Sequence, residues 1–313
     1  MQYLVIKKNK FITSVKIFFS ILYGYLNVKS LELDYINESG DIGMLLHNVQ
    51  FKIHSTVFTY ESLFYYIVNF LQLIFNVDYF IVFKIITFTI SFILFLIFFL
   101  NIKTKSNFTS QLLLLILVFL TPLVYNLFVS GLRSGIAFLI FFYAITYSKS
   151  YVKYILLTLS IFFHLSMIPL IYFYFIFNLL NKTKLNFSKS FYFVTLILNT
   201  FFIIFFSNII YDLSTVAQSL TYKVFVLTLV MIILFLNSNV VKNIYGFISI
   251  GLFLVVLVGF FFDLSFIRYL GNALLLYVFF LLRQNNNRSI KLFLISYLPF
   301  FILLTLYSIP AIR

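Results

Sequence analysis

The chain has 313 residues, of which 63% are apolar and 10% charged, and a net charge of +14. Soluble domains carry roughly 25% charged residues; so sparse a charge cannot cover a fold of this size, and so apolar a chain cannot stay disordered. Cys is absent, which removes disulfides, thiolate metal sites and cysteine nucleophiles.

Apolar runs of about 20 residues cross a bilayer. In chain order such runs lie near 11–27, 79–100, 110–128, 132–147, 190–210, 222–237, 244–262, 267–282 and 291–308. The stretch 151–180 is too long for one span and too short for two. Half-length helices over 154–163 and 166–180, with a break at His164 to Ser166, fit it. The segment 61–77 is either a membrane segment or a helix lying in the interface. The reading is an all-α, polytopic integral membrane protein with about 10–11 transmembrane helices, some short or broken, in one domain over residues 1–313. The largest polar insertion, 28–60, is expected to be an outer loop; it exceeds what a connector needs, which marks it as a functional candidate.

Basic residues set the orientation. With the N-terminus in the cytoplasm, the inner loops carry Lys7, Lys8, Lys10, Lys103, Lys105, Lys149, Lys153, Lys182, Lys184, Lys189, Lys242, Arg283, Arg288 and Lys291. The acids Glu32, Asp34, Glu38, Asp41, Glu61, Asp78, Asp212 and Asp263 all fall outside. The basic excess is therefore a topology signal and not a nucleic-acid one. The N-terminus does not read as a cleavable signal peptide: the apolar stretch after Lys10 is interrupted by Lys16 and lacks a small-residue cleavage pattern. Lys16 and Lys84 are expected to snorkel to the nearest interface.

Polar groups within spans, or at their ends, are costly and therefore informative. Arg133 follows Ser130 and Gly131, both N-cap candidates, and so falls in the first turn of the helix 132–147. A cation there opposes the helix dipole unless an anion sits between it and the free N–H groups. The alternatives are a guanidinium reaching outer headgroups or pairing an outer acid. Gly131 and Gly135, four apart, leave one face bare for another helix or a ligand. His164 precedes Pro169, which should free the carbonyl of Leu165 and break the helix. Its imidazole could act as a base, bond a sugar hydroxyl, or simply bond that carbonyl. Arg268 opens another span, with Asp263 as a potential ion-pair partner. In the large loop, Asp34-Tyr35 and Glu61 stand out, each equally readable as a solvated acid or a helix-end charge. Asp41, His47 and His54 match no metal-ligand spacing, and neither a metal nor a cofactor is expected. A glycine-rich phosphate loop, a GxSxG elbow and an HExxH motif are all absent.

The stretch from Tyr125 to Leu170 resembles the central signature of the EpsG-like branch of the Wzy-type polysaccharide polymerases. In that family an Asn, a few apolar residues, an Arg with a small or polar follower and Gly-Ile-Ala open a helix, and an aromatic-His-Ser motif comes later. Here these read Asn126, Arg133-Ser134-Gly135-Ile136-Ala137 and Phe163-His164-Leu165-Ser166. The family usually has Gln at the position of Ser134, and a small residue where Leu165 stands. Weaker echoes are Asp34-Tyr35, the Glu61 segment and Arg268-Tyr269.

The resemblance implies a GT-C-like helical bundle in the bacterial cytoplasmic (inner) membrane, with its active site facing the periplasm or exterior. It implies polymerisation of oligosaccharide repeat units carried on undecaprenyl pyrophosphate, for O-antigen, capsule or exopolysaccharide. A polysaccharide chain-length regulator is a candidate partner, as is the lipid bilayer. Glycosyl transfer with a lipid pyrophosphate leaving group needs donors for the departing charge and a base for the acceptor hydroxyl. Arg133, Ser134, Gly135 and Arg268 would then bind pyrophosphate; Asn126, Tyr35 and Tyr269 would touch sugar or lipid. His164, Glu61 or Asp34 would be the base. A lipid-linked oligosaccharide flippase and a membrane acyltransferase acting on surface glycans are the competing readings. The first should be longer, with paired halves. The second should carry its His and Arg near the N-terminus.

Overall fold

The computed structural model describes residues 2–36, 62–102, 108–129, 131–182, 187–210, 239–261, 268–284 and 286–308. These form α1 (Gln2–Ile36), α2 (Ser62–Phe75), α3 (Tyr79–Leu100), α4 (Phe108–Phe119), α5 (Pro122–Phe128), α6 (Leu132–Tyr147) and α7 (Ser150–Phe163). Next come α8 (Met167–Lys182), α9 (Lys189–Ile210), a 3-10 turn (Asn239–Lys242), α10 (Ile244–Phe261), α11 (Arg268–Gln284) and α12 (Asn287–Ser308). The described residues contain no strand, so the chain is all-α. Among them Tyr79–Leu100 and Lys189–Phe206 are long and apolar enough to cross a membrane, and several other apolar helices are shorter.

Two boundaries differ from the sequence reading and a third agrees with it. The run 110–128 is not one helix: α4 ends at Phe119, and α5 starts at Pro122. Proline is at ease at the first helical position, but it pushes the preceding Thr121 out of helical backbone geometry. Second, α1 continues to Ile36, so residues 28–36 are helical instead of opening the large loop; residues 37–61, like the span at 222–237, lie outside the described residues. The break between α7 and α8 falls at His164 to Ser166, as expected, with Pro169 in the first turn of α8. There its missing N–H has no intrahelical partner to lose.

The chain divides into two compact units. The first comprises Met1–Asn101 and Tyr125–Met167, with α1 and α3 packed antiparallel along their length. Tyr23 stacks on Phe95 with ring centroids 4.8 Å apart, Phe19 meets Phe99 edge-on, and Gly24 brings the two helices together at Phe88. Lys16 does not reach out to an interface: it is buried, with its Nζ 5.7 Å from the Phe99 ring. Lys84 does not merely snorkel either. Its ammonium bonds Glu32 of α1 at 2.8 Å, and Lys29 bonds the same carboxylate at 2.8 Å. The hydrogen bond from Lys29, then that from Lys84, holds the Glu32 carboxyl far below its usual range, at about 2.

Elsewhere in this unit Phe142 of α6 stacks on Phe98 of α3. Gly135 admits α5: a Cβ there would lie 2.4 Å from the Leu127 carbonyl oxygen.

The second unit comprises Ile102–Val124 and Ile168–Arg313. Its core is the pair α10 and α11, and α11 is buried all round from Tyr269 to Leu282, the pattern of a helix enclosed by others. Ser249 donates to the Ala273 carbonyl across this pair. The ring of Phe173 on α8 lies against Gly251, and Thr121 bonds the buried Tyr297 of α12. Arg283 closes α11, where a cation suits the dipole, and donates from Nη1 to the Tyr245 hydroxyl at 3.1 Å.

Two substitutions test the first unit. Gly135→Ala drives a methyl into a backbone carbonyl that cannot step aside, so the protein should lose about 1–3 kcal/mol, read as a lower unfolding temperature in detergent. The Glu32 contribution should be complete above about pH 5 and vanish as pH falls through the carboxyl's ordinary 4.5 toward about 2. The unfolding temperature of Glu32→Gln should therefore lie below wild type near neutrality and match it near pH 2; a gap that persists in acid rejects the ion pair as its cause.

Candidate functional site

The first turn of α6 is built on glycine. Gly131 is the N-cap, with φ −99° and ψ 46° and no side-chain cap bond; its carbonyl accepts from Gly135 N–H at 2.9 Å. The N–H groups of Leu132, Arg133 and Ser134 precede the first intrahelical partner and point out of the helix end. Arg133 is half-buried, with its guanidinium carbon 5.8 Å from the Tyr65 ring of α2, and Tyr65 is itself buried. Ser134 is half-buried beside it. Gly135 is buried against Leu127 and Phe128. Of the two uses expected for its bare face, helix approach is the one observed, and α5 fills the space a ligand would need.

His164 marks the end of α7 in extended geometry, φ −162° and ψ 124°. Its N–H donates to the Ser160 carbonyl, and its carbonyl accepts from Met167 N–H, both at 3.1 Å. Its Nδ1 accepts from Ser166 N–H, also at 3.1 Å. The imidazole thus bonds the amide of the residue just before α8 and closes the turn into that helix in the way an Asn side chain would. With Nδ1 accepting, the neutral ring carries its proton on Nε2. A base role would use the lone pair that now holds the helix start. Ser166 is buried next to it, and its Oγ has no hydrogen-bond partner among the described residues.

Chain path brings these two features together. α6 and α7, about 24 Å and 21 Å long at 1.5 Å per residue, pack on each other as a hairpin closed at Ser148–Lys149. Arg133 begins the first arm and His164 ends the second, so both lie at its open end. α2 packs on α3 and α7 and supplies Tyr65 to the same end.

The remaining candidates are placed less fully. Asp34 and Tyr35 lie in the last turn of α1, not in a loop, and Asn126 lies in α5. Arg268 is the first residue of α11 in the second unit, followed by the buried Tyr269. Glu61, Asp263, Ser130, Asp41, His47 and His54 lie outside the described residues. Among the described residues no group of three or more His, Asp or Glu side chains could hold a metal ion. Tyr65 was not legible in the sequence as a partner of Arg133, since nothing in an aromatic-rich run singles one ring out. Glu32 was legible in principle: antiparallel helices carry the end of one and the start of the other at the same level, and Glu32 and Lys84 fall there.

Comparison with protein-family models, with curated proteins and with solved structures finds no match.

The turn-closing reading of His164 separates from a chemical one by substitution. His164→Ala should lower stability by about 1 kcal/mol, the usual loss on removing such a hydrogen bond. His164→Asn restores an acceptor at the same reach and should restore the unfolding temperature. Activity absent from a folded His164→Asn protein would then report on the imidazole itself.

Proposed function

We propose that this chain is a multi-pass protein of the bacterial cytoplasmic membrane that joins undecaprenyl-pyrophosphate-linked oligosaccharide repeat units into a surface polysaccharide. The observation that carries the reading is the start of α6. A guanidinium braced over the buried Tyr65 stands beside a glycine-capped helix end with outward N–H groups, at the hairpin end that also holds His164. Helix N–H groups and a forked cation are what a departing pyrophosphate needs. The resemblance over Tyr125 to Leu170 supplies the substrate class, which the geometry alone does not.

Orientation supports the same reading. The basic bias puts the N-terminus in the cytoplasm; the antiparallel packing of α1 on α3 then sets Glu32 and Lys84 at the outer side. In this reading Tyr79–Leu100, Lys189–Phe206 and the shorter apolar helices together form its membrane segments.

In the reaction an acceptor hydroxyl attacks the anomeric carbon of the donor unit as the bond from that carbon to the pyrophosphate oxygen breaks. Arg133 and the adjacent N–H groups take the charge that develops on the pyrophosphate. The hydroxyl proton goes to a base. His164 is poorly suited to that step while Nδ1 closes the turn into α8; as a neutral ring it positions the α7–α8 break. Asp34 and Glu61 are the better proton acceptors. Asn126, Tyr35 and Tyr269 would contact sugar or lipid, and a chain-length regulator would act on the assembled polymer.

Arg133→Lys keeps the charge and loses the bidentate fork. At equal protein level in cells, it should shorten the polymer sharply toward single repeat units on the lipid. Unchanged chain length discredits the pyrophosphate role of Arg133.

A further inference from the structure

α2 has a composition and a placement that the reaction does not explain. It is 14 residues long and carries no charged side chain. At about 21 Å it is too short to cross a hydrocarbon core of about 30 Å. Phe64, Tyr65 and Val68 turn one face into the first unit and are buried. The opposite face presents Tyr66, Phe70, Leu73 and Ile74 at helical spacing, each more than half exposed, with Leu73 at 75%.

Its direction follows from two contacts. Asn76, with φ 49°, ends α2 in the left-handed conformation common at helix C-termini, and α3 begins three residues later at Tyr79. Were α2 to run back alongside α3, Phe64 would lie about 16 Å along it, near residue 90. Instead the Phe64 ring stacks on Phe83, with centroids 6.2 Å apart, only about 6 Å into α3. α2 therefore overlaps only the first turns of α3 and does not run along its length. The overlap lies at the level of Lys84, whose ammonium is tied to Glu32, and beside Arg133 over Tyr65. α3 is one of the membrane-length helices, so its charged first turns mark where hydrocarbon gives way to headgroups.

We infer that α2 is an interfacial helix lying along the membrane surface at the outer end of α3, with Tyr66, Phe70, Leu73 and Ile74 resting where lipid headgroups meet acyl chains. The occupant of its open face is outer-leaflet phospholipid. A tyrosine-bearing apolar face suits that boundary. Its buried face meanwhile holds Tyr65 under Arg133 and so fixes the guanidinium at headgroup depth. The inference rests on the membrane part of the proposed function and not on the reaction chosen.

The chain contains no Trp, so one introduced Trp reports depth without background. Phe70→Trp is made in the full-length protein and reconstituted into vesicles of phosphatidylcholine and phosphatidylglycerol. The vesicles carry a spin label either near the headgroup or near the acyl-chain end. Leu73→Trp repeats the measurement on the same face, and Phe201→Trp on the exposed side of α9 is the membrane-depth reference. Both α2 probes should lose more fluorescence to the shallow label, and Phe201→Trp more to the deep one. Deeper quenching of both α2 probes overturns the inference in favour of an inserted segment. No quenching of either α2 probe, with Phe201→Trp still quenched, overturns it in favour of a face covered by protein or open to water. Should Phe201→Trp also escape both labels, the membrane reading itself falls, and the inference with it.

Discussion

An excess of apolar side chains over anything that could cover them governs this molecule. Helices satisfy backbone N–H and C=O groups segment by segment, and the described residues use no other regular structure apart from one 3-10 turn. The consequences appear in small groups. Hydroxyls of Ser20, Thr89, Thr195 and Ser296 within helices, and of Thr121 just past α4, turn back onto carbonyls one turn earlier. Lys16 is buried among aromatics. The few ions that remain are either clustered, as Lys29, Glu32 and Lys84 are, or set at helix ends, as Arg133 and Arg283 are.

The same scarcity explains why glycine matters where it does. Helices that meet through phenylalanine rings stand well apart, because a ring fills the gap. Where α6 approaches α5, and α10 approaches the 3-10 turn, the gap closes to a backbone carbonyl, at Leu127 and Val240. Only a residue without Cβ permits that. Gly135 is thus a packing residue, and by letting α5 come close it also sets how the first turn of α6, with its outward N–H groups, is placed. Structure and candidate chemistry meet there in one residue, although Gly135 itself would touch no substrate.

Much of the helix pattern was legible. Tyr79–Leu100 and Leu132–Tyr147 begin and end where the apolar runs do, and the break at His164 was visible in a stretch of the wrong length for one span or two. Hydropathy failed where it had no contrast to work with. It could not see that Pro122 divides 110–128, because both pieces are equally apolar. Nor could it see that α1 runs on through Lys29 and Glu32, since a charged helix and a charged loop read alike. Site residues fared in the same way. Arg133 was legible because a cation at a helix start is rare. Its brace, Tyr65, was not, because one tyrosine among many carries no signal until the helices are packed.

The position of the His164 imidazole bears on how the two halves of the candidate site divide their work. A ring that holds the start of α8 through Nδ1 is fixed in tautomer and orientation, and protonating Nδ1 would release Ser166 N–H. Such a group is better suited to keeping a break rigid than to passing protons. On the proposed reaction, α6 would hold the charge and the imidazole would keep the shape of the break at His164, so the proton would have to pass to a carboxylate: Asp34, in the last turn of α1, or Glu61.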